Sequence, residues 1–322
     1  MLSKTVDYWL FRAYKKILSN SKSNTATVLI FHRVKPGQHT GFDEYTNAEE
    51  FRFKMVLLKK YFNVISLPTL IALKKKNEIP PLSVVISIDD GYEDGYSIIT
   101  PILDELNISG AFFIATQGVE SGGLWNDRIS EVIMKTDRQE VQLFKGALKL
   151  KMVTLEDRLA SWRLIHNKCK FLTLEDREEV LTDLESKLAF ARPIDKFLST
   201  NKLREMHDAG MTIGAHTHKH PILAVESDAI AFKEIKKSKV ILEEAINSEV
   251  KYFAYPNGKF GRDFSHKHQK MVKELGFEAA LTTDIGLVDN ETDLMALPRY
   301  TPWDKAPSSF ALRLCHHFYR LK

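Results

Sequence analysis

The chain has 322 residues, 44% hydrophobic and 27% charged, which excludes an intrinsically disordered protein. A net charge of +4, with no basic stretch carrying interleaved aromatic residues in the middle of the chain, argues against a nucleic-acid-binding protein. The two cysteines, Cys169 and Cys315, lie far apart, which excludes a disulfide framework and favours a reducing compartment.

The N-terminal residues 1–20 lack the apolar core and the cleavage site of a secretory signal. They are predicted to form an amphipathic helix, which either docks on the protein's own core or lies on an anionic membrane surface. The C-terminal sequence FALRLCHHFYRLK is also basic and apolar, so both alternatives stay open. No segment is long and apolar enough to span a bilayer. We therefore expect a cytoplasmic protein, either free or bound peripherally to the inner membrane face through these termini.

From residue 26 onward, strand-like and helix-like segments alternate along the chain. Strands are predicted at residues 26–34, 63–67, 83–90, 110–116, 211–217, 250–256 and 277–284. Helices are predicted at residues 47–62, 68–77, 100–107, 227–247 and 265–276, with Asn47 as an N-cap and Gly276 as a C-terminal stop. This repeated alternation predicts an α/β fold with a mainly parallel sheet or barrel.

One region interrupts the alternation. Between about residues 125 and 209 the strand signal is weak, and charged, helix-compatible sequence such as TLEDREEVLTDLESKLAF dominates. No Gly/Ser/Pro-rich linker and no internal repeat sets this region apart. We therefore interpret it as a helical insertion within a single domain of residues 1–322, whose core covers about residues 26–303.

The strand at residues 83–90 ends in two adjacent acids, Asp89 and Asp90, followed by Gly91. One acid could cap the next helix while the other is solvated. Adjacent carboxylates repel each other, however, and one pKa rises unless a cation or a donor balances them. A divalent metal would provide that balance, with one aspartate as a ligand and the other as a base.

A second candidate site is the sequence IGAHTHKHP at residues 213–221. His216 and His220 are four residues apart, which places them on one side of a helical turn and suits a metal held by two imidazoles. The spacing alone is weak evidence in a chain with 11 histidines. His218 is the weaker candidate ligand, and the histidines of SHKH (265–268) are interpreted as part of a solvated helix face.

These candidate residues share one position in the pattern, because each lies at, or just after, the C-terminal end of a predicted strand. In parallel α/β barrels the active site forms at the C-terminal ends of the strands, from several loops at once. The residues expected to converge there are His32, Asp89, Asp90, His216, His220 and the segment 256–258.

With these motifs in view, the sequence resembles the polysaccharide deacetylases, carbohydrate esterase family four, with a NodB-like domain. Residues 87–91 (SIDDG) are similar to the first family motif, which has two aspartates before a glycine. Residues 216–220 (HTHKH) match the second motif, His-Ser/Thr-x-x-His. Three further segments resemble family strands or motifs: GAFFIAT (110–116), FAYPNG (253–258) and VLIFHRV (28–34). The resemblance covers about residues 26–303, without most of the insertion.

The resemblance implies a distorted (β/α) barrel and roles for individual residues. It implies one divalent metal ion, with zinc expected, bound by three residues: Asp90, His216 and His220. Asp89 would be the general base for a metal-bound water that attacks an N-acetyl carbonyl. The backbone N–H of Asn257, after Pro256, would help to stabilise the oxyanion.

Two family features are missing from the sequence. The third motif usually carries an arginine where Ala254 aligns; Arg299, in LPRYTPW, either substitutes for it or is an ordinary surface residue. The family's final Leu-x-His motif, which supplies a histidine acid, has no counterpart, and His316 and His317 do not follow a predicted strand. His32 is the best substitute as the acid, with a core histidine as the alternative.

The aromatic residues that flank the proposed site include two candidates for a sugar platform, Trp125 and Trp303. The sequence thus predicts a metal-dependent hydrolase that removes N-acetyl or N-formyl groups from an amino sugar. The carbohydrate substrate would be a polysaccharide, an oligosaccharide or a lipid-linked glycan precursor. The alternatives are an amidohydrolase for a small non-sugar substrate, or a carbohydrate-binding relative with impaired turnover.

Overall fold

The computed structural model describes residues 24–37, 45–188, 196–304 and 306–320, together with Arg12. Apart from Arg12, the amphipathic helix predicted at residues 1–20 lies outside this described part, and it stays a prediction.

The strands and helices alternate as the sequence predicted. The strands are β1 (Ala26–Phe31), β2 (Val34–Lys35), β3 (Thr46–Asn47), β4 (Asn63–Val64), β5 (Ser83–Asp90), β6 (Ala111–Ile114), β7 (Glu140–Leu143), β8 (Leu148–Lys151), β9 (Thr212–Ala215), β10 (Tyr252–Ala254) and β11 (Ala279–Leu281). The helices are α1 (Ala48–Tyr61), α2 (Leu67–Lys76), α3 (Thr100–Glu105), α4 (Thr116–Ser121), α5 (Trp125–Lys135), α6 (Leu155–Lys170), α7 (Leu174–Lys187), α8 (Thr200–Asp208), α9 (Asp228–Ile246), α10 (His266–Glu274) and α11 (Pro307–Arg320).

The central sheet is parallel, with the strand order β1-β5-β6-β9-β10-β11 and with β4 beside the first residues of β5. The segment 297–300 links its two outer strands. Leu297 exchanges backbone hydrogen bonds of 2.8 Å with residues at β11, and Tyr300 exchanges bonds of 2.8 and 3.1 Å with residues of β1. The sheet therefore curls into the distorted α/β barrel that was predicted.

The strand β5 is buried along seven of its eight residues, and its predicted bounds are confirmed. Ile86 and Ile88 pack into the large core cluster that includes residues of the outer helices. Val85 packs into a second cluster with Phe113 and Ala254 of neighbouring strands. Because both faces are covered, the strand shows an unbroken apolar run instead of alternation, and this run carries the chain directly to Asp89 and Asp90.

Two helix ends follow the local signals in the sequence. The Asn47 side chain accepts hydrogen bonds of 2.8 and 3.4 Å from the Glu49 and Glu50 N–H groups, which confirms it as the N-cap of α1. Gly276 has a φ of +84° just after α10, a left-handed conformation that glycine adopts without steric cost.

The insertion has a hydrophobic cluster of its own, built from α5, α6, α7 and the β7–β8 hairpin. The hairpin corrects the prediction of a helical insertion with little strand signal; its signal in the sequence is the alternation of polar and apolar residues in EVQL, which are exposed and buried in turn in β7. The predicted end at residue 209 is also wrong, because Leu198, Leu203 and Met206 pack into the main core. We therefore call residues 125–188 the insertion. The assignment of residues 1–322 to one domain stays a prediction.

The C-terminal helix α11 docks on the protein's own core. Its apolar residues Phe310, Leu314 and Phe318 are buried in the main cluster, and the ring of His317 lies 3.1 Å from the Thr27 hydroxyl. The apolar face of this helix is therefore not available to a membrane. None of the helices in the described part of the chain is long and apolar enough to cross one.

Candidate active site

The C-terminal ends of several barrel strands open into one cavity of about 670 Å³. His32 follows β1, Asp90 ends β5, and Asn257 follows β10; all three line this cavity. Parallel strands end at the same edge of a sheet, so residues distant in sequence meet there. The predicted convergence of these strand ends is present in the structure.

Asp90, His216 and His220 form a group that could hold a metal, which we call the metal group. Their ligand atoms all lie within 4.8 Å of one another. The Asp90 Oδ1 atom is 3.7 Å from Nε2 of His216 and 3.5 Å from Nε2 of His220. Ligands about 2.1 Å from a tetrahedral ion are ~3.4 Å apart, so these separations fit a shared divalent ion. Two imidazoles and one carboxylate also match the donor set of catalytic zinc sites.

A neighbouring strand orients the ring of His216. Its Nδ1 lies 2.7 Å from the carbonyl oxygen of Ala254, the last residue of β10. Because a carbonyl can only accept, Nδ1 carries a proton, which leaves Nε2, on the side of Asp90, as the nitrogen that could bind a metal. Hydrogen bonds of this kind fix the tautomer of metal-binding histidines.

The metal loop (residues 216–220) is not a helical turn, which corrects the prediction drawn from the spacing of its histidines. Thr217 and His220 have φ values of +63° and +52°. The first two N–H groups of α4 donate hydrogen bonds of 3.2 and 2.8 Å to carbonyls of the loop. The carbonyls of Thr217 and His218 are thus bound to α4 and not to a helix of their own, a tertiary effect that spacing alone does not reveal.

His218, the middle histidine of the metal loop, is turned away from the metal group. Its Nδ1 lies 2.9 Å from the Thr116 hydroxyl, and its Nε2 lies 2.7 Å from Nζ of Lys237. Burial, followed by the positive charge of Lys237, lowers the pKa of His218 to about 4. A neutral ring engaged at both nitrogens agrees with its weaker prediction as a ligand.

Asp89 is paired with Arg299 in the barrel interior. The guanidinium of Arg299 donates two hydrogen bonds, of 2.7 and 2.8 Å, to the two carboxylate oxygens. Both side chains are buried, so the alternative of a surface arginine is wrong. Burial acts to raise the pKa of Asp89, but the charge and hydrogen bonds of Arg299 outweigh it and lower this pKa to about 2.

His32 and Asn257 lie on the cavity wall. The side chain of His32 is exposed, so the alternative of a core histidine is wrong. Asn257 is partly exposed, has a φ of +59°, and follows the buried Pro256. The hydroxyl of Thr283 donates to the Asn257 carbonyl and holds this peptide in place.

The sequence model of the family described as polysaccharide deacetylase matches residues 76–280, which is more than half of the chain. The chain belongs to the polysaccharide deacetylase family. As a member of this family, it is a hydrolase that acts on carbon–nitrogen bonds other than peptide bonds. The match spans β5, the insertion and the metal loop. No sequence among the curated proteins is significantly similar to this chain.

Solved structures share the fold of this polysaccharide deacetylase. The deacetylase PplD of Streptococcus pyogenes, in complex with acetate, has a TM-score of 0.62 and 16% identity over 90% of this chain and 98% of its own. IcaB from Ammonifex degensii has a TM-score of 0.56 and 15% identity, covering 90% and 97%. A de-N-acetylase from Aggregatibacter actinomycetemcomitans has a TM-score of 0.54 and 17% identity, covering 85% and 94%.

The two residues of the deacetylase that were predicted to form a sugar platform, Trp303 and Trp125, differ in their exposure. Trp303 is 70% exposed at the cavity. Trp125 is 6% exposed; it stacks on His166 at 4.9 Å and lies under the guanidinium of Arg177 at 4.8 Å. The prediction of Trp125 as a substrate contact is therefore wrong, because α5 directs it into the core of the insertion. Trp162, which stacks on His166 and lines the cavity, was not predicted from the sequence; the spacing of four residues between Trp162 and His166 on a helix was the available signal.

A second group of interacting side chains lies on the cavity wall, and their contacts with one another were not predicted. The Tyr92 hydroxyl donates to the Asp127 carboxylate at 3.2 Å and accepts from the Asn126 amide at 3.2 Å. Arg33 lies over the Tyr92 ring, 4.0 Å from its centroid. Burial raises the pKa of Asp127 to about 6. This group joins the insertion to the loops after β1 and β5, so the insertion forms one wall of the cavity.

His268 corrects the interpretation of SHKH as a solvated helix face. Its side chain is buried, and its Nδ1 accepts a hydrogen bond of 3.0 Å from the Ser265 N–H at the start of α10. Burial, followed by the charge of Lys267, lowers the pKa of His268 to about 4. This histidine therefore caps its own helix.

Proposed function

We propose that this polysaccharide deacetylase is a metal-dependent enzyme that removes N-acetyl or N-formyl groups from an amino sugar. The observation that carries the proposal is the contact between the metal group and a buried, ionised acid. Nε2 of His216 lies 3.7 Å from Asp90 and 3.8 Å from Asp89, which is itself paired with Arg299. The proposed substrate is a polysaccharide, an oligosaccharide or a lipid-linked glycan precursor, and the similarity to a structure described as a de-N-acetylase supports N-deacetylation.

Three residues are proposed to hold one zinc ion: Asp90, His216 and His220. When bound there, a divalent metal would supply Lewis acidity that activates a water molecule and polarises an acyl carbonyl. The protein supplies the orientation of the ligands, through the hydrogen bond between His216 and Ala254 and through the backbone contacts of the metal loop.

Asp89 is proposed as the general base. Its carboxylate is ionised at neutral pH, which is the form that a general base needs, and the two hydrogen bonds from Arg299 hold it beside the metal group. His32, exposed on the cavity wall, is proposed to protonate the leaving amine, since imidazole can deliver a proton near neutral pH. The Asn257 N–H is proposed to stabilise the oxyanion, with the buried Pro256 supporting its loop.

The test measures bound metal and acetate release in the same preparations. We expect about one equivalent of metal in the wild type and release of acetate from N-acetylglucosamine oligomers. His216→Ala and His220→Ala should lose both the metal and the activity, because each removes one ligand of three. His218→Ala is the matched control, since it alters the same loop outside the metal group, and it should keep the metal.

Different failures of this test have different meanings. A wild type without metal, even after addition of zinc, contradicts the mechanism. Bound metal with no acetate release from sugars, but with hydrolysis of a small non-sugar amide, favours the amidohydrolase alternative. Bound metal with sugar binding and no hydrolysis favours a carbohydrate-binding relative.

Trp303→Ala is expected to weaken binding of N-acetylglucosamine oligomers by about fivefold to a hundredfold, because loss of one exposed aromatic contact costs ~1–3 kcal/mol. The free energy of unfolding should stay unchanged, since this side chain is largely exposed. Isothermal titration checks the affinity. Phe171→Ala, which removes another exposed aromatic ring, is the control and should bind as the wild type does. Equal affinities in both variants would exclude Trp303 as a platform.

The cytoplasmic location, free or at the inner membrane face, is also part of the proposal. Because α11 packs its apolar face inward, residues 1–20 are the segment that we propose would contact the membrane. Comparing the sedimentation of the full chain and a variant lacking residues 1–20 with anionic vesicles tests this point. Equal sedimentation would exclude the N-terminal segment as the membrane contact.

A further inference from the structure

A buried arginine of the insertion contacts the metal loop. Arg177, on α7, is 3% exposed, and its Nη2 donates a hydrogen bond of 3.1 Å to the carbonyl of Lys219. Among the residues that the structure describes, no carboxylate forms an ion pair with it. Burial of a cation without an ion pair is costly, so a bond from this guanidinium to a backbone carbonyl calls for an explanation.

Arg177 is held on its other side by the core of the insertion. Its guanidinium lies 4.8 Å from the ring centroid of Trp125, which stacks on His166. The N–H of Leu174, at the start of the same helix, donates a hydrogen bond of 2.7 Å to Glu226, which fixes the helix end beside the loop that follows β9. These contacts fix the position of the Arg177 guanidinium, and its hydrogen bond to the Lys219 carbonyl connects it to the metal loop.

Hydrogen bonds to other parts of the protein fix the peptide groups on both sides of Lys219. Its N–H donates a hydrogen bond of 2.6 Å to Glu234 on α9, and its carbonyl accepts from Arg177. That carbonyl belongs to the peptide bond that leads into His220. His220 has a φ of +52°, in the left-handed region that non-glycine residues rarely adopt. Such a conformation persists only when the surrounding structure enforces it.

We propose that Arg177 is a positioning residue for the metal group. By holding the Lys219 carbonyl it keeps His220 in its left-handed conformation, with Nε2 3.5 Å from Asp90. This inference rests on the proposed metal site. It gives the insertion a function besides forming a wall of the cavity, because the metal ligands come from the barrel and one of them is fixed by a residue of the insertion.

The test is the Zn²⁺ affinity of the full chain, measured by titrating the metal-free protein in competition with a chromophoric chelator. Arg177→Ala is expected to weaken Zn²⁺ binding by about 10-fold to 100-fold, the range found when a residue that orients a ligand is removed. Arg177→Lys retains one donor without the planar guanidinium and should lie between the two. Glu234→Gln, which weakens the bond to the Lys219 N–H, should change the affinity in the same direction as Arg177→Ala.

Arg128→Ala is the matched control. Arg128 lies on α5 and makes ion pairs of 2.7 Å with Glu178 and Glu185 of α7, so its removal loosens the same helices without touching the metal loop. It should bind Zn²⁺ as the wild type does. Equal losses in Arg177→Ala and Arg128→Ala would mean that the insertion acts only through its stability, and would overturn the proposal.

Wild-type affinity in Arg177→Ala would also overturn it. If Arg177→Ala does not fold, Arg177→Lys and Glu234→Gln decide the question, and wild-type affinity in both contradicts the proposal. A wild type that binds no Zn²⁺ argues against the proposed metal site. A wild type that binds Zn²⁺, with no change in the variants, argues against Arg177 alone.

Discussion

Asp89→Asn is expected to lower the rate of deacetylation by about 100-fold to 10,000-fold while the protein keeps its metal. Asparagine has nearly the same shape as aspartate but cannot accept a proton at neutral pH. The metal group remains intact, because Asp90 and the two histidines are unchanged. Arg299 loses its buried counter-charge, so the free energy of unfolding should fall by up to about 3–5 kcal/mol.

Acetate release and metal content, measured on the same sample, check this prediction. Asp94→Asn is the control, since Asp94 pairs with Arg33 at 3.0 Å and is also buried. It should keep most of the activity, and it should not share the loss of stability of Asp89→Asn, because burial raises the pKa of Asp94 to about 6. Retained turnover in Asp89→Asn would place the base elsewhere, and loss of the metal would make Asp89 a ligand instead of a base.

The sequence allows the position of the metal group to be predicted, because two local signals agree. The apolar run of β5 has no alternation, so its end at Asp90 could be defined to the residue. The resemblance to family motifs then assigned the histidines that follow β9. The position of a residue at the end of a parallel strand is fixed mainly by the strand itself. The residues predicted at these strand ends therefore meet at one edge of the sheet, as expected.

Tertiary contacts account for most of the errors. Nothing within residues 216–220 indicates that α4 binds two of their carbonyls, so the histidine spacing suggested a helical turn. Trp125 follows a break in the strand pattern, and only the packing of α6 and α7 against α5 shows that its ring is buried. The capping role of His268 depends on the extended conformation of Ser265, which a basic helical segment does not reveal.

Arg299 shows the limit of the sequence most clearly. Its place on Asp89 follows from the path of residues 297–300 between β11 and β1, which closes the barrel. The resemblance expected an arginine at Ala254, at the end of β10. In the structure the arginine lies instead on segment 297–300, on the other side of β11 from Ala254. Only the sheet order shows that this segment comes close enough for Arg299 to reach Asp89.

Arg299→Ala is expected to destabilise the protein by about 3–5 kcal/mol, because it leaves the Asp89 carboxylate buried without its counter-charge. The pKa of Asp89 should rise in this variant, since burial persists while the positive charge is gone. Turnover should fall as well, because a protonated or displaced carboxyl cannot serve as the base. Urea unfolding and acetate release at neutral pH measure the two effects.

The pH dependence of the stability loss provides a sharper check on the metal-free protein. The pKa of Asp89 in the folded wild type is about 2, below the unfolded value of ~3.9, so its stabilising contribution is present above pH ~4. That contribution is lost as the pH falls toward 2. The stability difference between the wild type and Arg299→Ala should therefore be largest at neutral pH, begin to narrow at the raised pKa of Asp89 in the variant, and narrow further as the pH falls toward 2. A difference that stays constant with pH would mean that lost packing of the arginine, and not the ion pair, causes the destabilisation.

The double variant Asp89→Asn with Arg299→Ala measures the energy of the interaction between these two residues separately from their contacts with other groups. Each single change leaves one buried group without its partner, whereas the double change removes both charges together. The loss of stability in the double variant should therefore be smaller than the sum of the single losses, by about 1–3 kcal/mol. Its activity should equal that of Asp89→Asn, because an arginine that acts only by holding the base has no effect once the base is absent. A further loss of activity in the double variant would instead show that Arg299 also contacts the substrate.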